Sequence, residues 1–231
     1  MPPSNLKIIL ASRSPRRRQL LEEAGYDFEV RPSEVDEPPG ICTNCGPAEF
    51  VTRLATQKAA DVVARLQREG HTAAEDRLEV VVGCDTVGEV GGRILTKPID
   101  RDNAREMLTL LSGTEHRVFS GLCVWPLGGK VPAPAEGETP TSSVLLDAEP
   151  AIDVAISTLQ MERLEGDELE AYLDSGLWED KAAALGFQDR PGWIQLVSGS
   201  GSNVVGLPME LLAETLEAVV ARSGDRAGND S

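Results

Sequence analysis

Apolar positions along the chain follow two rhythms, one fitting short strands and the other fitting helices. KIILAS (7–12) is an apolar run bounded by polar residues and predicts a buried strand. A helix over Ser14–Gly25 follows, with Leu20, Leu21 and Ala24 at helical spacing. Ser14 suits its N-cap, Pro15 its first position and Gly25 its stop. FEVRPSEVDE (28–37) alternates like a strand and then turns acidic, and PPGICTNCG (38–46) reads as a loop. From Pro47 to Arg68, Phe50, Leu54, Ala55, Val62 and Leu66 predict a long amphipathic helix. EVVVGCDT (79–86) is a continuous apolar run with a polar tip, the pattern of a central strand covered on both faces.

Further on, VGGRIL (90–95) suggests a hairpin around Gly91-Gly92. A helix is expected from Asp100 to Leu111, closed by Ser112-Gly113, and then a strand over 116–127. The Pro/Gly-rich stretch 128–142 reads as a mobile loop before a returning strand near 144–158. A helix (166–176), a strand (192–199) and a terminal amphipathic helix (207–224) complete the chain. No repeat or composition break divides the 231 residues, so the expectation is one α/β domain over 1–222 and a disordered tail over 223–231.

Charge changes the picture. Lys and Arg number 22 against 38 Asp and Glu, a net charge of −16, which disfavours nucleic acid and anionic membrane as partners. Yet the densest basic cluster, Arg16-Arg17-Arg18, stands at a helix start, where the partial positive charge of unpaired N–H groups makes cations unfavourable. Such a cluster in an acidic chain points to a small anion. No apolar run reaches spanning length and MPPSNLK lacks the apolar core of a signal peptide, so the cytoplasm is the expected compartment. Cys84 and Cys123 lie in strand-like runs as small hydrophobes. Cys42 and Cys45 lack a second pair and the only histidines are His71 and His116, so a loop with two free thiols is favoured over zinc.

Individually the polar candidates have ordinary readings. Asp85 follows a buried run and is expected at a strand's carboxyl end, where open α/β sheets place ligands, although a turn-capping role is equally in keeping. Lys58 reads as a helix-face charge, Lys97-Pro98 as a loop, and Glu34, Asp36 and Glu37 as an acidic surface clump. In order, however, ILASxSPRRxxLL (Ile9–Leu21), SEVDE (Ser33–Glu37), LAxxKA (Leu54–Ala59), GxDT (Gly83–Thr86), KP (Lys97–Pro98) and LSGxxHxVxSG (Leu111–Gly121) resemble the signature series of the Maf family of nucleoside triphosphate pyrophosphatases. YLDSGLWEDKAAALGFQ (172–188) and NVVGLP (203–208) extend the resemblance to about residue 220.

The resemblance implies a mixed, partly parallel twisted sheet flanked by helices around a central cleft. It also implies hydrolysis of a nucleoside triphosphate to the monophosphate and pyrophosphate with Mg²⁺ or Mn²⁺, in a homodimer. Ser12, Ser14, Arg16 and Arg17 would cradle phosphates with Lys58 and Lys97, Asp85 would accept the proton of the attacking water, and Glu34 with Asp85 would hold the metal. Pro15, Thr86 and Gln188 resemble the dTTP/UTP-preferring branch. Alternatives are a weakly catalytic nucleotide-binding regulator of cell division, or a pyrophosphatase for non-standard or methylated purine triphosphates. Ala183, Leu185, Phe187 and Asp189 depart from the family's Gly, Tyr, Ile and Gly.

Overall fold

The computed structural model describes residues 2–3, 5–43, 45–74, 77–127 and 149–228. Its centre is a mixed sheet ordered β2 (Phe28–Val30), β1 (Leu6–Leu10), β4 (Leu78–Val90), β6 (Glu115–Leu127), β7 (Ala151–Met161) and β8 (Ile194–Ser198). Two short strands, β3 (Ile41–Cys42) and β5 (Arg93–Leu95), extend it beside the far end of β4. Among the described residues only β1 pairs in parallel, with β2 and β4; the other ladders are antiparallel. The mixed α/β sheet implied by the resemblance is present. The expected returning strand begins at Ala151, and the loop expected over 128–142, like positions 144–148, falls outside the described residues.

Helices cover both faces. Leu6, Ile8 and Leu10 of β1 and Val80 and Val82 of β4 point to one face, where they pack with Leu21 of α1 (Pro15–Glu23) and Leu212, Leu216 and Val219 of the C-terminal helix. Their neighbours Ile9 and Val81 point to the other, against Ala55, Ala59, Val62 and Leu66 of α2 (Pro47–Arg68). The continuous apolar runs of β1 and β4 thus reflect burial on both faces. Gly83 and Gly121 let α2 approach unusually closely: a Cβ there would lie 2.2 Å from the Ala55 carbonyl and 2.3 Å from that of Val51.

A third cluster joins α3 (Arg101–Leu111) and α4 (Gly166–Asp174) through Met107, Leu108, Tyr172 and Leu173. A short α5 (Gly201–Val205) precedes the terminal α6 (Met209–Gly228), which runs past the expected end at 224. No helix among the described residues is long and apolar enough to cross a membrane.

The largest difference from expectation is β4, which continues to Val90 instead of ending at Thr86. Parallel pairing with β1 stops at Leu10↔Val82, but β6 keeps pairing from Glu79↔Leu127 through Glu89↔Arg117. Asp85 therefore lies within an antiparallel ladder, at the level where the parallel partner has turned away into α1. β2 is also shorter than expected and ends at Val30, leaving the acidic stretch as irregular chain.

Candidate functional site

Where β1 departs, a cavity of about 860 Å³ opens, lined by the turn into α1, residues 33–39, α2, β4 and residues 182–189. Lys58 projects into it from α2 and is only 4 % exposed. Its Nζ donates to Asp85 Oδ1 at 2.6 Å and to Glu37 Oε1 at 2.5 Å, and Lys97 Nζ stands 3.0 Å from Glu37 Oε2. Buried charges are tolerated when they neutralise one another, and here two ammonium groups alternate with two carboxylates. Burial pushes the Glu37 carboxyl upward, but Lys58 and Lys97 outweigh it and bring its pKa to about 2.

The two arginines at the start of α1 differ sharply. Arg17 is buried, and its Nε donates to the Gly206 carbonyl at 2.7 Å. Its Nη1 reaches Cys84 O at 2.7 Å and Ser12 Oγ at 3.0 Å, and its Nη2 reaches Thr86 Oγ1 at 3.2 Å. Gly206 has φ 126°, a backbone shape that side-chain-bearing residues rarely adopt, so the NVVGLP motif aims a carbonyl that also receives Thr86 Oγ1 at 3.2 Å. Arg17 thus ties α1, β4 and α5 together. Arg16 lines the cavity half-buried, without a hydrogen bond to any described acceptor, its pKa lowered by burial and by the adjacent Arg17 charge.

The remaining candidates also lie at the cavity. Ser14 caps α1, accepting from the Arg17 N–H at 3.5 Å, and Ser12 Oγ accepts from the Ser14 N–H at 3.2 Å. Thr86 Oγ1 meets Ser120 Oγ at 2.8 Å, and Gln188 is exposed and also lines the cavity. Glu34, expected at the metal with Asp85, also lines the cavity but does not join the Lys58 array. Its side chain is 72 % exposed and faces Arg65 Nη1 at 3.5 Å, while its backbone N–H donates to Asp61; Glu37 is the carboxylate that meets Lys58. Glu37 had a signal, the final position of the Ser33–Glu37 run, but nothing local separated it from Glu34. Arg13 and His116 also line the cavity, and His116 is buried, which lowers its pKa.

A divalent metal can be tested against these donors. Among the described residues no three His, Cys, Asp or Glu side chains form an all-protein cage. Glu37 and Asp85 nevertheless offer two hard carboxylates to one cationic point, already taken by Lys58 Nζ. That donor set fits an ion that keeps waters and takes phosphate oxygens. Together the cavity offers a polyanion one guanidinium without a hydrogen-bonded acceptor among the described residues, Arg16, beside two lysines shared with carboxylates.

The model of a family described as "Maf-like protein" matches residues 7–219. Among curated proteins, a dTTP/UTP pyrophosphatase of Rhodopirellula baltica is 44 % identical over 216 residues, covering 93 % of this chain and 83 % of the relative. One of Anaeromyxobacter dehalogenans is 39 % identical over 219 residues, covering 94 % of each chain. A third, of Chelativorans sp., is 36 % identical over 214 residues, covering 92 % of this chain and 90 % of the relative.

Proposed function

This chain belongs to the Maf-like protein family, and from that premise we propose that it hydrolyses nucleoside triphosphates, dTTP and UTP foremost, to the monophosphate and pyrophosphate. The observation that carries the reading is the Asp85–Lys58–Glu37–Lys97 array on the wall of a cavity that Arg16 also lines. A triphosphate carries about four negative charges, and the N-terminus of α1 with Arg16 offers it N–H donors and an uncommitted guanidinium. Lys58 is shared between two carboxylates, and a polyphosphate supplies a further anion for it. Lys97, 47 % exposed, lies where charge on departing pyrophosphate needs neutralising.

Asp85 takes the proton of the water that attacks the triphosphate. It is 5 % exposed and lies within the strand, so its carboxylate is held by β4 and β6 and not by a loop. Asp85 with Glu37, and not Glu34, would hold Mg²⁺ or Mn²⁺. The metal when bound supplies charge neutralisation at the phosphates. Ser12 and Ser14 shape the phosphate end, and Arg17 acts by holding that end together.

Base selection falls to Gln188, whose amide can both donate to and accept from a pyrimidine imide edge. Thr86, already engaged by Arg17, Ser120 and Gly206, contributes by holding the strand's hydroxyl in place. The same reading includes a homodimer, supported by Ile152, Ile156, Leu196 and Val197 exposed along β7 and β8. It also includes a cytoplasmic location, in keeping with four unpaired cysteines. A panel of dTTP, UTP, CTP, ATP, GTP and 7-methyl-GTP with Mg²⁺ or Mn²⁺, scored by pyrophosphate release, tests it. The expected order puts dTTP and UTP first; a purine leading by about tenfold contradicts the base assignment.

A further inference from the structure

Residues 180–189 form the wall of the cavity that carries Gln188, and their backbone is held in an unfavourable shape. Asp180, Ala183 and Ala184 have φ of 56°, 57° and 59°, in the left-handed region that residues with a Cβ avoid. Such strain persists only where surrounding contacts over-determine it. One contact is the Ala183 N–H, which donates to the Thr96 carbonyl at 2.9 Å. The others converge on one carboxylate. Asp189 Oδ2 accepts from the Tyr172 hydroxyl at 2.7 Å and from the Gly186 N–H at 2.9 Å, and Lys181 Nζ lies 2.6 Å from each oxygen. The fit is tight, since a Cβ on Gly186 would come within 2.6 Å of the Asp189 oxygens.

Three donors from three places in the chain therefore close on Asp189, and Gln188 lies inside the turn that the Gly186–Asp189 bond closes. Tyr172 is fully buried and its ring packs at a tilt against Trp193, centroids 5.4 Å apart, so the clasp is anchored in the core that holds α3 and α4. With Lys181, Tyr172 and Gly186 on its oxygens, Asp189 makes no hydrogen bond to Arg16, although both line the cavity and its charge acts on that guanidinium. A carboxylate so engaged is suited to holding a loop and not to contacting substrate.

We propose that Asp189 is a positioning residue for base selection, acting through Gln188: by clasping Lys181, Tyr172 and Gly186 it fixes the turn that presents the Gln188 amide to the base. The inference rests on Gln188 being the base contact, as read above. Steady-state kinetics of D189A, Q188A and the double variant with dTTP and CTP test it. In D189A the ratio of kcat/KM for dTTP over CTP falls about tenfold, through KM for dTTP, with kcat down by no more than about threefold. The double variant discriminates no worse than Q188A alone, because both changes remove the same presented amide. If Q188A flattens the preference while D189A leaves it within about twofold, or if the two effects multiply, the proposal is overturned. If Q188A leaves the preference intact, the base reading fails and the proposal falls with it, by a different signature. Should D189A not fold, Y172F removes one bond of the clasp; a fall of about threefold in the ratio supports the proposal and an unchanged ratio overturns it.

Discussion

Arg16 and Arg17 are sequence neighbours on one helix turn, yet Arg17 hydrogen-bonds four protein acceptors while Arg16 faces the cavity with none among the described residues. The two should separate cleanly on mutation. Arg17→Ala leaves the Gly206 and Cys84 carbonyls short of a buried donor and is expected to cost about 3 kcal/mol, lowering Tm without ligand by about 6–12 °C. Arg16→Ala removes a half-buried cation beside another, so Tm without ligand stays equal or rises slightly, while triphosphate Kd weakens about ten- to hundredfold. Thermal melts with and without a non-hydrolysable triphosphate read both effects; equal losses of stability would mean Arg16 is also structural.

That contrast marks the boundary of what the sequence discloses. Ser14, Pro15 and Gly25 announce α1 because caps and stops act within a turn, and the apolar runs of β1 and β4 announce burial on both faces. Nothing near residue 17 announces Gly206, which is 189 positions away. Asp85 reads as a strand tip because only pairing with β6 reveals that β4 continues to Val90. Glu34 and Glu37 are equivalent as residues in an acidic run. Which one meets Lys58 depends on where the irregular chain after β2 crosses α2.

Glu37 makes the ionic array sensitive to acid. Its carboxyl pKa is about 2 in the fold against an ordinary 4.5. A depressed folded pKa contributes stability that is complete above about pH 4.5 and disappears as pH falls toward 2. The Tm advantage of the native chain over Glu37→Gln should therefore be constant above that window and shrink through it. A pH-independent difference would mean Glu37 is not held by its two lysines in solution.

Gly83 links packing to chemistry. Gly83→Ala would place a methyl 2.2 Å from the Ala55 carbonyl and 2.9 Å from the Ala59 nitrogen, on the helix turn that also carries Lys58. The expected cost is about 3 kcal/mol or more, with α2 displaced and activity reduced beyond the fraction unfolded. Circular dichroism melts alongside turnover check this; a variant of native stability and activity would show that α2 can yield at no cost.

Asp85, held by Lys58 at 2.6 Å, is proposed to activate water against the bond whose cleavage releases pyrophosphate. The most direct measurement is product analysis of dTTP turnover by the native chain and by Asp85→Asn, with nucleotide affinity measured in parallel. The native chain is expected to give dTMP and pyrophosphate in equal amounts, and the variant a kcat lower by about 10² to 10⁴ with affinity and fold retained. Release of dTDP and phosphate, or near-native turnover by Asp85→Asn, would contradict the proposal.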